Sequence, residues 1–162
     1  MSRREPGQAP DAATGTARKW YPYCEADGTD VVTPEIVEAV RGPNEEATAL
    51  EIRQRVLEVQ SLLGRASKGT LREESWKPVQ RDPLLWELRW SWNAESQVRG
   101  YFHEPPHEPD SSILAKVHRK EIVRGNEQAT KRLQDGEIDK AGIRIRRGGP
   151  HRWGLGLSKG LA

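Results

Sequence analysis

Two short runs carry the groups that could do chemistry. LWELR, residues 85–89, places Glu87 and Arg89 two positions apart, and RGYFH opens on Arg99. A third run, HRK, follows at His118, Arg119 and Lys120. A carboxylate, guanidiniums and an imidazole are the groups from which proton transfer and anion stabilisation are built. His118 is the natural acid or base because an imidazole titrates near neutrality; as a bare residue it is also an ordinary half-buried strand histidine. Glu87 is a candidate base or one member of an ion pair. Arg89 shares its face and either binds a phosphate through its planar fork or neutralises Glu87. Lys77, a lone lysine in a connection, is at most a phosphate contact.

These residues need a strand pair to position them. In residues 84–92 the apolar Leu84, Trp86, Leu88, Trp90 and Trp92 alternate with Leu85, Glu87, Arg89 and Ser91, the period of a half-buried strand. Residues 93–96 are turn formers, and Val98, Gly100 and Phe102 then alternate with Arg99, Tyr101 and His103. The pattern predicts an antiparallel hairpin but leaves its register open. A four-residue loop pairs Trp90 with Arg99 and sends Arg99 to the tryptophan face. An odd-numbered loop or a bulge brings Arg99 beside Glu87 and Arg89, as an active site requires.

Around the hairpin, Lys19 to Glu25 reads as a short aromatic edge strand broken by Pro22. Thr33-Pro34-Glu35 starts a helix that stops near Gly42-Pro43, with Thr33 as its N-cap. Ala49, Ile52, Val56, Val59 and Leu63 form an apolar stripe in a second helix, from Asn44 to Gly64. A strand over 112–118 and a helix over 121–135, ending at Gly136, follow. Residues 1–18 are polar and predicted disordered; residues 19–136 form the domain; residues 137–162 form a basic Gly/Arg-rich tail. The order β-α-α-β-β-β-α implies an α+β domain: a small antiparallel sheet with the two N-terminal helices on one face, and a C-terminal helix.

Charge is unevenly spread over the 162 residues, although the net value is only +2. Residues 30–75 hold six Lys/Arg against nine Asp/Glu, or −3, and residues 111–162 hold twelve against five, or +7. The basic C-terminal third suggests a polyanion, RNA or DNA before a membrane, or else a solvated tail. Arg144, Arg146, Arg147, Arg152 and Lys159, with Trp153 interleaved, could form an RNA-binding arm. No apolar run approaches the roughly 20 residues of a membrane helix, and the N-terminus has no apolar signal core. One cysteine, Cys24, allows no internal disulfide, which fits a reducing cytoplasm. His103 and His107 with Glu104 could suggest a metal pair, but the prolines between them forbid a helix and no third ligand follows. No metal or cofactor is expected.

The short aromatic strand with its D-G turn, the helix pair, LWELR, the Arg-x-Tyr-Phe strand (Arg99 to Phe102), the strand ending in a basic cluster and the A-x-K-R-L helix (Ala129 to Leu133) together resemble the RelE/HigB family of toxin–antitoxin systems, in its phage-derived Gp49-like branch. The resemblance covers residues 19–135. It implies a RelE-like fold and a ribosome-dependent mRNA endoribonuclease that needs no metal. The substrate's own 2′-OH attacks the scissile phosphate. On this resemblance Arg99 stabilises the phosphorane, His118 and Arg89 assist, Glu87 is a further candidate, and Lys77, Arg119 and Lys120 contact RNA. The implied partners are mRNA, the ribosome and a cognate helix-turn-helix antitoxin. The chain departs from the family in lacking a proline before the last helix and in its longer Pro/His-rich loop, residues 104–110. The alternative function is a binding module for RNA or protein that kept the fold without the chemistry.

Overall fold

Burial of one tryptophan-bearing face orders the sheet. In the computed structural model, which describes residues 7–93, 96–157 and 160–161, Trp86, Leu88, Val98, Phe102 and Val117 are buried in one continuous core. Strand β3 (Trp86–Asn93) pairs antiparallel with β4 (Ser96–His103), and β4 with β5 (Ser111–Arg119). Arg89 stands opposite Arg99, with an irregularity between Ser91 and Asn93 that shifts the register by one residue. This is the bulged alternative left open by the sequence, and it brings Arg99 to the face of Glu87 and Arg89. The turn expected at residues 93–96 falls in part on residues 94–95, outside the described residues.

The class is α+β, with a five-stranded sheet in the order β1-β5-β4-β3-β2. It is mixed, not wholly antiparallel as expected. Strand β1 (Lys19–Pro22) runs parallel to β5; helices α1 (Thr33–Arg41) and α2 (Ala49–Lys68) carry the chain from β1 to the opposite sheet edge, from which antiparallel strands lead back to β5. A short strand absent from the sequence reading, β2 (Trp76–Pro78), pairs with β3 and puts Lys77 opposite Glu87.

The helix ends differ from expectation for local reasons. The carboxylate that caps α1 belongs to Asp30, which accepts from the N–H groups of Val32 and Thr33, both at 2.9 Å, so Thr33 is not the cap. Helix α2 starts at a Thr48/Glu51 capping box and passes Gly64, because Leu62, Leu63 and Ala66 bury against the core. It stops at Gly69, whose φ of 78° is the left-handed conformation of a helix C-terminus.

Helix α3 (Glu127–Gly148) begins later and ends later than predicted. Asn126 caps it through the Ala129 N–H at 2.9 Å, and it runs through Gly136 because Ile138, Ala141 and Ile145 bury beyond that glycine. The expected tail is therefore largely helix. A 3-10 segment, Gly149–Gly154, follows, and the buried Trp153 donates its indole N–H to the Ile145 carbonyl at 2.8 Å. Lys159 lies outside the described residues.

The N-terminal segment is also docked from residue 7 onward, contrary to the disorder expected over 1–18; residues 1–6 lie outside the described residues. Glu104 accepts from the N–H groups of Asp11 (2.7 Å) and Ala12 (3.0 Å). Arg18 is buried and donates to the carbonyls of Pro105, Glu108 and Ser111.

Strand β1 covers β5 only as far as Leu114, so the rest of that edge needs other partners. Glu35 of α1 provides one: it accepts from the Val117 N–H at 3.1 Å and from Lys116 Nζ at 2.9 Å. Arg144 of α3 donates to the Ala115 carbonyl at 2.9 Å and to both Glu35 oxygens at 3.0 Å. A half-buried carboxylate thus ties both helices to one strand edge, an arrangement that is costly to break from one side. Glu35→Ala is expected to lower unfolding stability in urea by about 2 kcal/mol or more. A loss under about 0.5 kcal/mol would show that the edge does not depend on this carboxylate.

Candidate active site

Direct pairing across four strands lays the polar residues out as a lattice on the face opposite the tryptophans. One row is Lys77, Glu87, Tyr101 and Lys116, and the next is Arg89, Arg99 and His118. Lys120 extends a third row: its N–H donates to the Gln97 carbonyl at 2.8 Å, and Gln97 stands opposite Ser91. The structure therefore brings Glu87, Arg89, Arg99, His118, Lys77 and Lys120 onto one face. Arg119 it does not; paired with Val98, it belongs to the opposite face.

Glu87 sits at the centre and is buried. Its Oε1 lies 3.2 Å from the Nε atoms of both Arg89 and Arg99, and its Oε2 accepts from Gln134 of α3 at 3.1 Å. Burial pushes its carboxyl above the ordinary range, and Arg99, Arg89, Lys77 and Lys120 oppose that shift. Arg99 is the more fixed arginine: its side chain is 5% exposed, and it also donates to the Val98 carbonyl (3.0 Å) and Gln97 Oε1 (2.8 Å). Arg89, at 39%, reaches solvent. The ammonium groups of Lys77 and Lys120 have no ion pair or side-chain hydrogen bond among the described residues.

His118 is held from both sides. Its Nδ1 is 3.0 Å from the Arg119 carbonyl, which can only accept, so Nδ1 carries the proton. Nε2 then accepts from the Tyr101 hydroxyl at 2.8 Å, and the two rings stack with centroids 5.5 Å apart. Burial lowers the imidazole pKa, against the raising effects of the Arg119 carbonyl and Glu137. Burial likewise raises the Tyr101 pKa.

The sequence reading missed Tyr101, Lys116 and Gln134. Period-two spacing could have found the first two, because Tyr101 lies two positions from Arg99 and Lys116 two from His118. Gln134 carried no signal, since only the packing of α3 onto this face brings it to Glu87. Lys116 is tied to Glu35 and to Glu137, at 2.9 and 3.0 Å.

The four arginines expected in an RNA-binding arm are elsewhere and already paired. Arg144 is held by Glu35, Arg146 contacts Asp82 at 2.6 and 3.0 Å, Arg147 contacts Glu25 at 2.8 and 2.9 Å, and Arg152 contacts Glu108 at 2.6 and 3.0 Å. Their carboxylate partners come from α1, from the loop before β3, from the turn after β1 and from the loop after β4, where sequence spacing gives no hint of them.

Glu104 is occupied by the N-terminal segment, and His103 bonds through Nδ1 to the Leu84 carbonyl at 2.8 Å. Among the described residues no three His, Cys, Asp or Glu side chains form a metal-binding group. No helix of the described residues is long and apolar enough to cross a membrane.

A cleft of about 310 Å³ opens where Arg89 and Arg99 meet Ser91, Asn93, Gln97 and Glu74. Four cations thus surround one buried carboxylate beside an open cleft. Such a surface can hold an anion, and guanidinium forks suit a phosphate that gains charge during reaction. Comparison of the chain with models of known protein families, with characterised proteins and with solved structures finds no match.

His103 gives this region a pH dependence. Its burial lowers the imidazole pKa to about 4. The unfolded chain, at about 6.5, then binds the proton more readily than the native state, so stability is full above pH 6.5 and falls as the pH drops towards 4. The expected loss between those values is about 3 kcal/mol. Urea titrations at several pH values check this, with His103→Gln expected to flatten the slope. An equal slope in the variant would assign the acid sensitivity to other groups.

Proposed function

We propose that this protein is a ribosome-dependent mRNA endoribonuclease toxin, acting in the cytoplasm and restrained by a cognate helix-turn-helix antitoxin. The observation that carries this reading is the shared face of Arg89, Arg99, Glu87 and His118, produced by the bulged β3–β4 register. The resemblance to RelE/HigB toxins assigns roles to these residues, and their convergence supports that assignment.

In this reading Arg99 and Arg89 stabilise the charge of the phosphorane, Arg99 as the rigid member and Arg89 as the solvent-facing one. Glu87 orients both guanidiniums and is the carboxylate on their face that would accept the 2′-OH proton. Lys77 and Lys120, whose ammonium groups have no ion pair among the described residues, would contact neighbouring phosphates. The reaction itself uses only protein side chains and the substrate's 2′-oxygen.

One observation favours a second reading, an RNA-binding module without chemistry. Both ring nitrogens of His118 are engaged, one by a carbonyl and one by Tyr101, so the imidazole offers no free site to a substrate proton. The two readings separate on cleavage of a defined mRNA, with and without programmed ribosomes, by wild type and by Arg89→Ala. Arg89 is half-exposed, so its removal leaves the core intact. Cleavage only on ribosomes, reduced about 10²-fold or more in the variant, is the expected outcome. RNA affinity without cleavage in either setting would establish the binding module instead.

A further inference from the structure

We propose that Gln134 of α3 is a positioning residue that keeps the anion site open. It holds Glu87 so that the carboxylate cannot close as a two-point fork on Arg89, and the outer nitrogens of Arg89 remain for a phosphate. The inference rests on the reading of this face as an RNA-binding surface.

Elsewhere in this protein, arginines and carboxylates close fully on each other. Arg152 reaches both oxygens of Glu108 through Nε and Nη2, at 2.6 and 3.0 Å. Arg81 reaches both oxygens of Asp139 in the same way, at 2.7 and 3.0 Å, and Arg146 both oxygens of Asp82, at 2.6 and 3.0 Å. That geometry is the preferred one when a carboxylate has both oxygens to give. Glu87 differs. Its Oε1 is shared by Nε of Arg89 and Nε of Arg99, each at 3.2 Å, while its Oε2 accepts from the Gln134 amide at 3.1 Å. Arg99 uses its two Nη groups on the Val98 carbonyl and Gln97 Oε1. Among the described residues the Nη groups of Arg89 donate no hydrogen bond, and Arg89 lines the open cleft.

The role of Gln134 follows from what its loss would do. Oε2 would become a buried acceptor without a donor, which is costly for a carboxylate. Arg99 cannot turn to supply one, because it is buried and its Nη groups are committed. Arg89 reaches solvent and can turn. Glu87 and Arg89 would then close as the other pairs do, and the Nη groups that face the cleft would be spent on Glu87. A neutral amide prevents this without adding a charge of its own to the site.

A double-variant cycle on the full chain tests the proposal. The probe is a short RNA whose 2′-hydroxyls are O-methylated. Its affinity is measured for wild type, Gln134→Met, Arg89→Ala and the double variant. Each single variant is expected to bind about tenfold more weakly, and the double variant no more weakly than Arg89→Ala alone. The Arg89 Nη–H signals in NMR, recorded without RNA, give a signature that a general loosening of the fold does not. Rotation about Nε–Cζ averages them in the wild type; in Gln134→Met they are expected to separate as the fork locks. Gln134→Leu repeats both measurements if the Met variant does not fold. Unchanged affinity in Gln134→Met, additive losses in the double variant, or Arg89 signals that stay averaged would each overturn the role of Gln134. Absence of RNA binding by the wild type would instead overturn the proposed function, and the Arg89 signals, which need no ligand, would still decide whether Gln134 holds the fork open.

Discussion

A buried carboxylate shared by two arginines organises this molecule. Glu87 lies on a central strand with both guanidiniums at 3.2 Å, and a third partner, Gln134, arrives from the last helix. Without them an ionised Glu87 would be too costly to bury; without it, two arginines and two lysines would crowd one sheet face with nothing to offset their repulsion. The triad therefore does two things at once. It lets a polar face exist beside a tryptophan core, and it fixes two forks in the orientation that an incoming phosphate would meet. Removing one of the two buried members, Glu87 or Arg99, leaves the other's charge unpaired in the interior at a typical cost of about 3–5 kcal/mol, so stability and site geometry are bound together here.

Much of this was legible in the sequence because period two is a strong signal. The alternation through Trp86 to Trp92 defined a strand and assigned Glu87 and Arg89 to one face. The second strand was equally plain, but its register was not, since it turns on a one-residue irregularity between Ser91 and Asn93. Alternation cannot count the residues of a bulge. Candidate residues in the first two runs thus met as one face. In the third run, His118 and Lys120 joined that face, while Arg119, between them, pointed away as alternation requires.

The ends of the chain differ from their composition for another reason. Composition alone makes residues 7–18 and 137–154 look like polar tails, yet both are pinned by long-range polar contacts. Arg18 plugs three carbonyls of the 105–111 loop, and Glu104 receives two N–H groups of the N-terminal turn. Arg144, Arg146 and Arg147, which read as free positive charge, are each answered by a carboxylate distant in sequence. Their neutralisation leaves Lys77 and Lys120, on the sheet face, as the cations of the site without an ion pair among the described residues. Gly136 is a related case: it ends the apparent helix locally, but burial of Ile138, Ala141 and Ile145 offsets the roughly 1 kcal/mol a helical glycine costs.

The proposed function requires this one face to meet RNA. The most direct measurement is a nitrogen–proton NMR titration of the full chain with a short RNA whose 2′-hydroxyls are O-methylated, which binds without being cleaved. Following the arginine Nε–H signals alongside the backbone amides places the contact by residue. Shifts concentrated at Lys77, Glu87, Arg89, Arg99 and Lys120, weakening steeply with salt, are expected if the face binds RNA. Shifts gathered instead along the outer surface of α2 or α3, with Arg89 and Arg99 unmoved, would contradict it.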